Sequence, residues 1–256
     1  MGGPPPAGQL SAATIAEEAA RAAGALLLDR FGTERALDTK SSPTDLVSEA
    51  DLLAEQAIRD VLARRAPDDA IMGEEGADTP GTSGRRWIVD PLDGTINFLY
   101  GIPQWAVSVA CEGIAGVVFD PSHDEIFVAA DGMAALNGEP LQASRCDDLS
   151  HALVATGFGY EARVRSAQAE IVSRVLPEVR DIRRAGSAAL DLAWAAAGRV
   201  DAFYEFGVKP WDIAAGTLLC TAAGLEVREL QPRGALPAGV LAAPPALVEP
   251  LLALVS

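Results

Sequence analysis

The chain has 256 residues, 49% of them hydrophobic, and a formal net charge of −16. That length is enough for one large domain or two modest ones with a well-buried core. The charge predicts no nucleic-acid partner and no anionic-membrane partner, and no apolar run reaches the roughly 18 residues of a membrane span. With only two histidines, His123 and His151, a His-rich zinc site is excluded. Any metal should be a hard ion held by carboxylates, Mg²⁺ or Mn²⁺.

Residues 1–10 open with a Gly/Pro-rich stretch that reads as a disordered tail with no secretory signal. Ser11–Phe31 is Ala-rich with one apolar face, a helix ending near Gly32. Ser48–Arg65 reads as a second helix, capped by Ser48, with Leu53, Ala57 and Val61 on one face. Arg86–Val89 reads as a buried strand entering a loop at Asp90. Trp105–Cys111 and Ile114–Phe119 form a hairpin about Glu112-Gly113, and Glu125–Ala130 is a further strand. These hairpins give an α+β first half, 11–144.

The second half, 145–256, alternates strand and helix, the pattern of α/β layering. Its strands are Ala152–Thr156, Asp181–Arg183 and Ala202–Glu205. Its helices are Ala162–Leu176, Ser187–Ala197 and Trp211–Ala223. The apolar stretch Leu241–Val255 reads as a capped terminal helix. Cys111, Cys146 and Cys220 are far apart and odd in number, which suits buried, reduced thiols in a cytoplasmic protein.

The strongest chemical signal is Trp87-Ile-Val-Asp90-Pro91-Leu92-Asp93-Gly94-Thr95. A buried strand delivers two carboxylates, at i and i+3, across a turn in which Pro91 fixes one backbone angle and Gly94 frees another. Both carboxylates and a backbone carbonyl between them can then face one point, which suits adjacent hard cations. Gly94 and Thr95 open a short helix whose free N–H groups can hold a phosphate. A bare D-x-x-D is more often an ordinary Asx-rich turn; the apolar strand before it and Gly-Thr after it reverse that reading.

Trp87–Ala110 resembles the first signature of the inositol monophosphatase family, and Trp211–Gly224 resembles the second. Asp45-Leu-Val-Ser-Glu-Ala-Asp51, Gly73-Glu-Glu-Gly76 and Ala185-Gly-Ser-Ala-Ala-Leu190 agree with it in order and spacing, so the resemblance spans roughly 11–255. It implies a layered αβαβα sandwich acting as one compact catalytic unit. It also implies Mg²⁺-dependent, Li⁺-sensitive hydrolysis of a small polyol phosphate, inositol monophosphate first among them, in a homodimer.

The family's metal ligands carry over to Glu74, Asp90, the Leu92 carbonyl, Asp93 and Asp212, holding two or three Mg²⁺ ions, which Mn²⁺ can replace. Asp212, at a helix start, would alone read as a capping acid, and Glu75 is read as structural. Glu74 and Thr95 would orient the attacking water, with Asp51 bonded to the threonine. Substrate contacts carry over to Asp93, Gly94, Thr95, Gly186, Ser187, Ala188 and Glu205, the last accepting hydrogen bonds from ring hydroxyls. Lys40 matches a mobile loop near the metals. Gly157-Phe-Gly-Tyr160 does not match the serine that some relatives place against the ring. Histidinol-phosphate phosphatases and fructose-1,6-bisphosphatases share this core, and a non-catalytic regulatory module is the alternative from another class.

Overall fold

The structure, a computed structural model, describes residues 10–33, 36–39 and 46–256, and for 36–39 and 46–48 the backbone alone. The N-terminal tail, Lys40 and Asp45 of the expectations above lie outside the described residues, as does the Ser48 side chain. Helix α1 (Ala12–Arg30) starts where Ser11 Oγ accepts the Thr14 N–H, and it ends as expected before Gly32. Strands β1 (Ala36–Thr39) and β2 (Leu46–Ser48) form an antiparallel ribbon, and helix α2 (Glu49–Arg65) follows β2 directly.

A seven-stranded sheet comes next, its strands in chain order: β3 (Ala70–Gly73), β4 (Arg86–Asp93), β5 (Ala106–Cys111), β6 (Ala115–Asp120), β7 (Glu125–Ala130), β8 (Met133–Leu136) and β9 (Glu139–Pro140). The β3–β4 pair is parallel and the rest is an antiparallel meander. The five-stranded sheet has the order β11-β10-β12-β14-β13. Its strands are β10 (Leu153–Thr156), β11 (Asp181–Arg183), β12 (Ala202–Phe206), β13 (Glu226–Leu230) and β14 (Gly239–Ala243). Helices α3 (Thr95–Leu99), α4 (Ala162–Val175), α5 (Ala188–Ala196), α6 (Pro210–Ala222) and α7 (Pro245–Val255) complete the fold.

Side-chain alternation along the strands sorts three cores. On β5, Val107, Val109 and Cys111 join Leu27, Ile58 and Leu62 of α1 and α2. Ala106 and Ala110 face the other way, onto α5 and α6. On β12, Phe203 points to that same middle layer, while Ala202, Tyr204 and Phe206 pack with Ile171 of α4 and Leu247 and Leu251 of α7. The layers therefore run α1/α2, seven-stranded sheet, α5/α6, five-stranded sheet, α4/α7: the expected αβαβα sandwich. α5 and α6 are apolar around most of their circumference because a sheet covers each side.

Three expectations need correction. β4 does not stop at Val89 but runs on to Asp93, because β5 continues to pair with it beyond Asp90. Leu241–Ala243 are strand, not helix: they pair with both β12 and β13, and the helix begins only at Pro245. Cys146 is half-buried rather than buried, because it sits in the connection to the second half; Cys111 and Cys220 are buried and all three are free.

The middle layer sits close to the first sheet. A Cβ on Gly116 of β6 would lie 2.8 Å from Ala215 Cα of α6. Gly116→Ala should therefore force the helix off the sheet and cost roughly 1–3 kcal/mol, read as a lowered urea midpoint at unchanged slope.

Candidate metal and phosphate site

Parallel pairing of β3 with β4 aligns Gly73 with Val89, so the next residues, Glu74 and Asp90, emerge together at one sheet end. In a regular strand, residues i and i+3 point to opposite faces. Here Asp90 pairs with Ser108 and Asp93 with Ala106, three steps on β4 against two on β5. That one-residue bulge resets the alternation and lets Asp90 and Asp93 line the same cavity. Pro91, which lacks an N–H, falls at the bulge, where no ladder bond is required of it. Gly94 follows with φ of +92°, and a Cβ there would lie 2.9 Å from the Gln104 carbonyl oxygen, so the turn into α3 calls for glycine.

Each acid is tied by one edge. Asp90 Oδ1 accepts the Leu92 N–H at 3.0 Å. Asp93 Oδ2 accepts from Ser187 Oγ at 2.5 Å and from the Ala189 N–H at 2.7 Å, at the start of α5. Asp212 Oδ2 accepts the Lys209 N–H at 2.7 Å, capping α6. Thr95 Oγ1 lies 3.1 Å from both Asp51 Oδ1 and the Leu92 carbonyl oxygen. Glu74, Asp90, Leu92, Asp93, Gly94, Thr95 and Asp212 all line one cavity of about 390 Å³, with Glu205 also on its wall.

Burial, foremost, pushes the Asp90 carboxyl well above the usual range, and the charges of Glu74, Asp93 and Asp212 push it further. Asp212 is raised for the same first reason and then by Asp93. Burial raises Asp93 to about 6, against the lowering effect of its bonds from Ser187 and Ala189. Among the described residues no three acidic, His or Cys side chains already close on one point as a formed coordination sphere; buried like charges oppose closer approach. The donors are hard oxygens, and the second oxygens of Asp93 and Asp212 accept no protein hydrogen bond among the described residues. This set fits divalent cations of the Mg²⁺ or Mn²⁺ type, which would offset the repulsion.

The substrate side is brought together in part. Gly186, Ala188 and Glu205 line the cavity. Ser187 does not: it is buried, and its hydroxyl is hydrogen-bonded to Asp93. Asp51 is fully buried behind Thr95. Glu205 is raised to about 8 by burial and then by Asp191 and Asp93. In the protein alone, burial and these neighbouring acids favour the neutral form of its carboxyl.

Asp191 and Arg184 are among the residues missed from sequence. Asp191 is buried on α5 with Oδ1 unpartnered among the described residues. Arg184 lies over the Phe158 ring, and both line the cavity. The Arg183-Arg184 pair two residues before Gly186 was the available signal; nothing in the periodicity of α5 marks Asp191.

The sequence profile of the inositol monophosphatase family matches residues 9–255. The chain belongs to the inositol monophosphatase family. It is 45% identical to the inositol-1-monophosphatase SuhB of Mycobacterium tuberculosis, over 94% of this chain and 91% of that one. It is 42% identical to the Nus factor SuhB of Escherichia coli, covering 82% of each. Among solved structures, the extragenic suppressor protein suhB of Bartonella henselae superposes with a TM-score of 0.87 at 34% identity, over 95% of this chain and 97% of that one. Membership makes the chain a phosphatase of a metal-dependent family. Among the described residues no helix is long and apolar enough to cross a membrane.

A raised carboxyl pKa means that folding takes up a proton. The stability Glu205 contributes is complete below its unfolded pKa, near 4.3, and is lost as pH rises toward its folded value of about 8. In chelator-treated protein, Glu205→Gln should therefore lose less stability between about pH 5 and about pH 8 than the parent, by urea unfolding. Equal losses would contradict the assignment.

Proposed function

We propose that the protein is a Mg²⁺-dependent phosphatase that hydrolyses the monoester of a small neutral polyol, with inositol monophosphate as the favoured substrate. The supporting observation is the convergence of Glu74, Asp90, the Leu92 backbone, Asp93 and Asp212 on one cavity whose wall also carries Glu205. The names of the curated relatives point the same way.

Asp90, at the start of the bulge, would hold the Mg²⁺ ions together with Glu74, Asp93, Asp212 and the Leu92 carbonyl. When bound, such ions activate a water and neutralise charge on the phosphate and leaving oxygens. Glu74 and the Thr95 hydroxyl orient the attacking water, and Asp51 Oδ1 accepts the Thr95 proton. Backbone N–H groups of Gly94 and Thr95 hold the phosphate. Glu205 binds hydroxyls of the leaving alcohol, and Gly186 and Ala188 give the ring room. The halves 11–144 and 145–256 work as one catalytic unit in a cytoplasmic homodimer, so light scattering should exceed the 26.6 kDa of one chain.

Phosphate release from inositol 1-phosphate should vanish in EDTA and return with Mg²⁺, and Li⁺ should inhibit it. The same assay on histidinol phosphate and fructose 1,6-bisphosphate should give lower kcat/KM; the reverse order would overturn the substrate assignment. Thr95→Ala should lower kcat by about 10²–10⁴ while Mg²⁺ affinity by calorimetry survives, because only a proton-positioning hydroxyl is lost.

A further inference from the structure

The Gly73-Glu74-Glu75-Gly76 turn carries Glu74 on the corner after β3. What holds the turn is Glu55, a residue of α2 that is buried to 3% exposure. Its Oε2 accepts the Glu75 N–H at 2.7 Å, and its Oε1 accepts the Gly76 N–H at 2.8 Å. Arg59, one turn on, donates Nε to the same Oε1 at 2.7 Å and ties Nη1 to Thr79 Oγ1 at 3.0 Å.

The glycines of the motif are explained by this carboxylate. A Cβ at Gly73 would lie 2.7 Å from both Glu55 oxygens, and one at Gly76 would lie 2.5 Å from Oε1. The backbone can approach Glu55 only where no side chain intervenes. Asp51 stands four residues earlier on α2, on the same helical face. One stripe of one helix thus reaches the Thr95 hydroxyl through Asp51 and the Glu74 turn through Glu55.

We infer that Glu55 is a positioning residue for the reaction: it fixes the Glu74 carboxylate by clamping the two amides that follow it, so that α2 aligns both water-orienting groups from one rigid element. The inference rests on the role of Glu74 proposed above. A charged carboxylate accepting two backbone N–H groups makes short, strong bonds, and side chains that orient metal-site groups from behind commonly matter by about 10–100-fold in metal affinity or activity.

Glu55→Gln keeps the volume but offers one acceptor where two are needed. In metal-free protein, hydrogen exchange of the Glu75 and Gly76 amides should accelerate while exchange in the β5 and β6 core stays slow. Mg²⁺ affinity and kcat should each fall by about 10–100-fold. Made on top of Glu74→Gln, the change should cost little further in Mg²⁺ affinity, since the residue acts through Glu74. If Glu55→Gln does not fold, Glu55→Asp, one methylene too short to span both amides, is read in the same way. Unchanged amide exchange, or losses that simply add to those of Glu74→Gln, would overturn the inference and leave the proposed function standing. A harmless Glu74→Gln would bring down the role of Glu74 and this inference with it.

Discussion

The constraint on which the structure turns is the crowding of acids at one sheet end. Asp90 is almost wholly buried, and the charges of Glu74, Asp93 and Asp212 all reach it. Buried like charges are costly unless something offsets them. The chain supplies partial compensation from its own backbone: the Leu92, Ala189 and Lys209 N–H groups and the Ser187 hydroxyl each hold one oxygen. A divalent cation held there would complete it. A chain of net charge −16 attracts a phosphate only where the local field has been inverted in this way.

The sandwich is arranged around that compensation. The seven-stranded sheet presents Glu74, Asp90 and Asp93 from neighbouring parallel strands, and α6 in the middle layer brings Asp212 across to them. Ser108 Oγ of β5 bonds to the Trp211 carbonyl oxygen at 3.3 Å, pinning the start of α6 to the sheet. Asn97 of α3 donates to the Ala185 carbonyl oxygen at 2.9 Å and to the Gln104 carbonyl oxygen at 2.7 Å, joining the start of α3 to the loop before α5. Apolar packing between the layers makes the fold, whereas these few polar bonds between them position the candidate site.

Much of this was legible in the sequence, and the gaps have physical causes. Hairpins about Glu112-Gly113 and the strand–helix alternation after 150 gave the two sheets, because period-two and period-3.6 patterns are strong in buried elements. The bulge in β4 was not legible: Asp90-Pro-Leu-Asp93 has the composition of a turn, and only pairing with β5 shows that the strand continues. Leu241–Ala243 was assigned to helix because a short apolar run does not distinguish a doubly flanked strand from a helix. Among site residues, the acids in motifs were found, whereas Glu55 and Asp191 were not. Each stands within a helix outside any motif, and its importance depends on what lies across the interface. Ser187 was assigned to the substrate through the resemblance, as part of a helix start, and nothing in the sequence showed that its hydroxyl bonds to Asp93.

The central claim is that the crowded acids form a divalent-cation centre. Crystals grown with Mn²⁺ and measured at its absorption edge test it most directly, because the anomalous signal locates the metal without reference to activity. The account predicts peaks between Asp90 and its neighbours Glu74, Asp93 and Asp212. Peaks only at surface carboxylates, or none within this cavity at Mn²⁺ concentrations that support phosphate release, would contradict it.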